Sequence, residues 1–259
     1  MYPYLLHSGH LYLPTFGALA ALGLMAALTL SLRTAEWVGI SPDAIWNAGS
    51  FAALAAFLLS RLLLVATNFR SFLAYPMYLL AVPSLTPGGI LLTLIAVGVW
   101  LWTKQIPLMA ALDAWAPCAT LVWVFLAVGH FAEGSDLGLP TSTWIGIALP
   151  GTTTRMIPVA LFAAALALGL TWLLLRSLAK DGTPGRTFAL AMTLTGFGQF
   201  VLSFWREPAE GVFGDTLDPL QWVAIGMMAV GVGFWVATQQ VQKQIPFGND
   251  KQELQEQRR

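Results

Sequence analysis

The sequence predicts an all-α, polytopic membrane helix bundle of about seven transmembrane helices, with the N-terminus outside and the C-terminus inside. Three observations carry this prediction. Hydrophobic residues make up 57% of the 259 and charged residues only 10%, where soluble domains carry about 25% charged residues. The apolar residues fall into runs near the ~20 residues that a helix needs to cross ~30 Å of hydrocarbon. The basic residues collect on alternate connections, as cytoplasmic loops do in membrane proteins.

The spans follow in order. The first covers about residues 13–32 and ends at Arg33. The second covers 45–67 and follows Ser41-Pro42-Asp43, where a hydroxyl, an early proline and an acid suit a helix start. Residues 72–82 are apolar but too few to cross, and Pro83 bounds them, so they read as a short re-entrant or interfacial segment. The third span begins at Pro87-Gly88-Gly89 and ends at Lys104, and the fourth covers 106–131. A polar connection from Glu133 to Arg155 comes next, long enough that a function is expected of it. The fifth span covers 157–178, and the sixth covers 187–205 after a polar turn at 180–185. An acidic loop with Glu207, Glu210, Asp215 and Asp218 leads to the seventh, 220–241. Residues 1–241 thus form a single transmembrane domain, and 242–259 a charged cytoplasmic tail rich in glutamine.

Orientation rests on nine basic residues against three. With the N-terminus outside, Arg33, Lys104, Arg176, Lys180, Arg186, Lys243, Lys251, Arg258 and Arg259 lie inside, and Arg70, Arg155 and Arg206 outside. Residues 1–12 contain no Lys or Arg, so a cleaved signal peptide is not expected there. Trp102, Trp144, Trp205 and Trp222 fall at span boundaries as interfacial anchors. The single cysteine, Cys118, reads as a small core residue, and no cofactor or metal cluster is expected. Formal charge is balanced, with 13 Lys+Arg and 13 Asp+Glu, which gives no basis for a nucleic-acid partner.

Charged groups at membrane depth are costly and usually face the bundle interior or a wet cavity. Arg61 lies deep in the second span, Asp113 in the fourth, His130 and Glu133 at the outer end of the fourth, and Arg206 at the end of the sixth. An arginine offers a planar fork for bidentate phosphate contact. Arg61 and Arg206 are therefore candidates to hold an anionic lipid headgroup, with structural pairing or snorkelling as the alternative. Gly88-Gly89 opens a helix whose free amides suit an anion. Asp113 suits a capping or pairing role. His130 and Glu133, three apart, share a helix face and form a candidate acid–base pair or a solvent-facing boundary pair. Glycines at 17–23 and 226–233 suit helix packing.

These polar positions, in this order, resemble the prolipoprotein diacylglyceryl transferase family over about residues 3–240. Its Gly-Arg is similar to Ser60-Arg61, and its Asp-Pro-Leu-Tyr to Tyr75-Pro76-Met77-Tyr78. Its His-Gly-Gly is similar to Pro87-Gly88-Gly89, and its Asp-Phe-x-Ala-Pro to Asp113-Ala114-Trp115-Ala116-Pro117. Its signature Gly-Arg-x-Gly-Asn-Phe-x-Asn-Gly-Glu is similar to residues Leu126 to Ser135, which adds Gly129 to the candidate headgroup residues. Its Glu-Phe-x-Arg-x-Pro is similar to residues Ser203 to Pro208, and its Gly-Gln to Leu220-Gln221, which adds Gln221.

The departures bear on chemistry. The family's histidine is Pro87 here, its signature arginine is Ala127 and its asparagines are His130 and Glu133. A second family arginine is Gln199, the first-span tyrosine is Phe16, and the Arg-His-Pro-Ser-Gln-x-Tyr-Glu stretch is almost wholly changed at 156–163. The resemblance implies a multi-pass protein of the bacterial cytoplasmic (inner) membrane whose partner is a phospholipid, phosphatidylglycerol. Two readings remain. One is a catalytically degenerate relative, serving as a phospholipid-binding or structural subunit of a membrane complex. The other is an active transferase that moves diacylglyceryl from phosphatidylglycerol to a lipobox cysteine through a site rebuilt around Arg61, His130, Glu133 and Arg206.

Overall fold

The structure is a computed structural model that describes residues 4–8, 11–75, 85–148, 153–180, 183–206 and 217–244. A hairpin of β1 (Tyr4–Ser8) and β2 (Leu11–Pro14) leads into α1 (Thr15–Trp37). The chain continues through α2 (Pro42–Thr67), the short α3 (Phe69–Ala74), α4 (Pro87–Thr103) and α5 (Leu108–Glu133). A small antiparallel pair, β3 (Ile147–Ala148) and β4 (Arg155–Met156), lies in the following loop. α6 (Val159–Lys180), α7 (Arg186–Ser203) and α8 (Pro219–Gln244) complete the bundle.

Seven long helices stand where the apolar runs place them. Five of these, α1, α2, α5, α6 and α8, are long and apolar enough to cross a membrane. α4 is a shorter apolar helix of 17 residues. α7, with 18 residues, carries Thr187, Thr193, Thr195 and Gln199 and is not among the five. α1 runs through Arg33 to Trp37, a turn beyond its expected end. Of the expected interfacial segment at 72–82, α3 covers the start and residues 76–82 lie outside the described residues. The same holds for Glu207, Glu210 and Asp215 of the acidic loop and for the tail beyond Gln244.

Local chemistry explains the helix ends. Ser41 Oγ accepts the Ala44 N–H at 3.3 Å with Pro42 just inside α2. Thr86 Oγ1 likewise accepts from Gly89 N at 3.1 Å, with Pro87 opening α4. α5 stops at Gly134, whose φ of 81° is readily adopted only by glycine.

Packing centres on α5, which touches α1, α6 and α7; α2 lies on α1 and α4, and α8 lies on α7. Buried positions hold mainly Ala, Thr and Ser, while many Leu, Val, Phe and Trp side chains face outward. A bilayer gives no hydrophobic drive between helices, so contact depends on close backbone approach and interhelical hydrogen bonds. Thr171 Oγ1 donates to Thr120 Oγ1 at 2.9 Å between α6 and α5. Among the glycines expected to pack, Gly23 lies against Phe125 and Gly231 against Thr193, whereas Gly226 and Gly233 meet nothing within 4 Å. Glycine spacing alone does not reveal which side of a helix meets a neighbour. Cys118 is buried, as expected, with its Sγ 3.4 Å from the Ala114 carbonyl.

Candidate phospholipid-binding site

Alternating chain direction gathers the end of α2, the starts of α1, α4 and α8, and the ends of α5 and α7 at one end of the bundle. Their contacts fix this: Phe16 meets Gly129, Ser60 meets Gly89, and Gly138 meets Trp205. Every candidate headgroup residue sits at this end, in three groups.

The first group joins α2 to α4. Ser60 and Arg61 are buried in α2, at 0% and 9% exposure. A Cβ added to Gly89 would overlap Ser60 Cα, Cβ and Oγ, and one at Gly88 would strike Leu63 Cδ2. The paired glycines therefore let the start of α4 lie directly on Ser60 and Leu63 of α2. Ser60 Oγ is buried and makes no hydrogen bond. A buried hydroxyl in this state has a donor and acceptor to offer, at a cost when neither is used. This group holds a buried arginine, an unpartnered hydroxyl and a helix start whose Gly89 N–H is taken by Thr86, and the arginine and hydroxyl are the groups that suit a phosphate.

The second group lies at the end of α5. His130 Nδ1 is 2.8 Å from Ser135 Oγ, and Ser135 Oγ donates to Glu133 Oε2 at 3.4 Å. Ser135 Oγ thus bridges the His130 ring and the Glu133 carboxylate; in the tautomer with a proton on Nδ1 the ring donates to Ser135 and presents Nε2 as an acceptor. Phe16 lies against this ring, with centroids 4.6 Å apart, and also packs on Gly129. His130 and Glu133 thus meet through Ser135, a bridging role that helical spacing did not reveal.

The third group ties the loop after α5 to α7 and α8. Arg206 Nη2 pairs with Asp136 at 2.8 Å, and Nη1 is 3.5 Å from Gln199 Oε1. Leu139 N donates to Trp205 O at 2.8 Å and Gly138 N to Ile157 O at 2.8 Å, so the loop is stitched to the end of α7. Gln221, buried at the start of α8, donates from Nε2 to Ser203 Oγ at 3.1 Å and accepts from Asp218 N at 3.2 Å. Arg206 is already held by a carboxylate, so it offers less free positive charge than its sequence position implies. Asp136 was not singled out as its partner: seventy residues separate the two, and no local pattern links them.

Asp113 belongs to the opposite end. Its carboxylate accepts the Gly185 N–H at 2.5 Å and the Phe188 N–H at 2.7 Å. It caps α7 from another helix, which realises the capping role expected of it.

Ser60, beside Arg61 in α2, therefore meets Gly89, Gly129 adjoins the His130 group, and Arg206 and Gln221 share the end of α7. Among the described residues no group of three or more His, Cys, Asp or Glu side chains is arranged to hold a metal.

Comparison with known proteins points to the same family. A family model described as prolipoprotein diacylglyceryl transferase matches residues 3–237. The chain is 24% identical to the phosphatidylglycerol–prolipoprotein diacylglyceryl transferase of Clostridium tetani (strain Massachusetts / E88), covering 84% of this chain and 90% of that one. It is 28% identical to the enzyme of that name from Dechloromonas aromatica (strain RCB), over 58% of this chain and 59% of the other. A third relative, phosphatidylglycerol–prolipoprotein diacylglyceryl transferase 2 of Clostridium perfringens (strain 13 / Type A), is 21% identical over 84% and 88%. With bundle and family match in agreement, this multi-pass membrane protein belongs to the prolipoprotein diacylglyceryl transferase family.

Proposed function

We propose that this chain binds the headgroup of an anionic phospholipid, phosphatidylglycerol, at the loop end of the bundle and does so without transferring its diacylglyceryl group. The observation that carries the reading is the buried, unpartnered Ser60 hydroxyl against Gly89 at the start of α4, with Arg61 buried next to it in α2. Transfer requires charge to stabilise the departing phosphoglycerol and a group to take the thiol proton. Where the family carries a histidine and two arginines, this chain has Pro87, Ala127 and Gln199. None of the three can supply either. On this reading the chain is a lipid-binding or structural subunit of a bacterial cytoplasmic membrane, N-out and C-in, an orientation supported by its basic residues.

The test is lipid retention by the full chain in nanodiscs of equal phosphatidylglycerol and phosphatidylcholine. Native mass spectrometry should find phosphatidylglycerol retained preferentially, and Arg61→Gln should remove the preference. No preference in the unmodified chain would overturn the reading.

A second reading, an active transferase, is favoured by the names of the relatives and by the His130–Ser135–Glu133 chain, which orients the imidazole as a candidate base. Expression in cells depleted of their own transferase separates the two. Thioether lipid on a reporter lipoprotein, lost in His130→Gln, would establish transfer and remove the non-catalytic reading.

A further inference from the structure

We propose that the groove between α6 and α7 holds one acyl chain of the bound phospholipid, which rests on and extends the headgroup reading above. The groove has a volume of about 640 Å³ and runs from Trp205, Thr141 and Thr143 at the loop end to Leu170 and Leu194 at its depth, within the ~300–1,000 Å³ usual for ligand sites.

Three features select a lipid chain as occupant. The first is depth. Leu194 and Trp205 are eleven residues apart along the α7 wall, about 16 Å at ~1.5 Å per residue, and half of a ~30 Å hydrocarbon core is about 15 Å. The groove thus reaches from the interface to the midplane, the span of one acyl chain. The second is polarity, which is confined to the loop end. Thr141 and Thr143 bond to each other at 2.9 Å, and below them the walls are apolar. The third is continuity with the candidate site. Trp205 lines the groove, and the next residue is Arg206, whose Nε is buried without a hydrogen bond. A chain seated here brings its glycerol to the level of that guanidinium. Gly198 lets the two walls approach closely, since a Cβ there would overlap Leu166 Cδ2.

The experiment uses phosphatidylglycerol with a diazirine midway along one acyl chain, added to the full chain in phosphatidylcholine nanodiscs. After irradiation, label should concentrate in peptides covering 162–170 and 194–202, above that on the exposed α8 side chains Val223, Val230 and Val232. Leu194→Trp should lower groove labelling about fivefold by filling the space, and Val230→Trp should leave it unchanged. If Leu194→Trp disturbs the thermal midpoint, Leu166→Trp repeats the test from the opposite wall. Equal labelling of α8 and the groove, or no decrease in a folded variant, overturns the proposal. A phosphatidylcholine diazirine that labels the same peptides equally well keeps the groove and removes the headgroup reading. Preferential phosphatidylglycerol retention without groove labelling does the reverse.

Discussion

Replacing Asp113 by alanine tests how the bundle holds the helix that carries Arg206. Asp113 is 3% exposed, and its two carboxylate oxygens accept one N–H each from Gly185 and Phe188, more than seventy residues away. The first turn of a helix has no internal acceptors for its N–H groups, so these must be met from outside. Gly185, at φ 90°, turns its N–H toward the carboxylate. Alanine removes both acceptors and leaves two donors without partners. A buried donor left unsatisfied costs about 1–3 kcal/mol, so Asp113→Ala should cost roughly 2–6 kcal/mol. At about 2–4 °C per kcal/mol for a chain of this size, the midpoint of thermal unfolding in detergent should fall by at least ~4 °C. Asn keeps one acceptor but sets its NH2 against the other donor, so Asp113→Asn should lie between Ala and the original chain. Circular dichroism and tryptophan fluorescence on heating read both variants. An Asp113→Ala midpoint within ~1 °C of the unmodified chain would refute the claim that this cap holds α7.

Other substitutions probe the remaining contacts. Gly89→Ala should lower the thermal midpoint, because the added methyl meets the Ser60 backbone; overpacking of this kind costs about 1–3 kcal/mol. Adding Ser60→Gly should restore only part of the loss, since Ser60 Cα remains. A double-mutant cycle on Arg206→Ala and Asp136→Ala should give a coupling of about 0.2–1 kcal/mol, because both side chains are about one-fifth exposed. A coupling above ~2 kcal/mol would mean that the pair is far better shielded than its exposure implies. Thr171→Val should cost about 0.6 kcal/mol, the usual worth of an interhelical hydrogen bond in a membrane, measured by SDS unfolding in mixed micelles.

The spans were legible because the bilayer imposes length and apolarity on each helix separately, and both are properties of a continuous segment. Even there, the runs did not separate α4 and α7 from the five longer or more apolar helices. The helix start at Ser41-Pro42 was readable for the same local reason, since a capping hydroxyl acts within three residues, while at α4 Pro87 marked the start and the structure added the Thr86 cap. The candidate site was legible as a set of residues and not as an arrangement. Arg61, Gly88 and Gly89 stood out in the sequence, but that Ser60 lies under Gly89 with its hydroxyl unused depends on how two helices cross.

By itself, the sequence determined a membrane bundle, the approximate places of its helices and the family motifs, since composition and short-range spacing encode these directly. Only the tertiary structure decided that Asp113 caps α7, that Arg206 is bound to Asp136, that Ser135 links His130 to Glu133, and that α6 and α7 leave a groove between them. The first three are contacts of specific atoms and the last is a space between helices. Two of the contacts span about seventy residues. The short link through Ser135 depends on how the chain turns at the end of α5. Such relations follow from helix crossing and loop path, which no local pattern of residue types encodes.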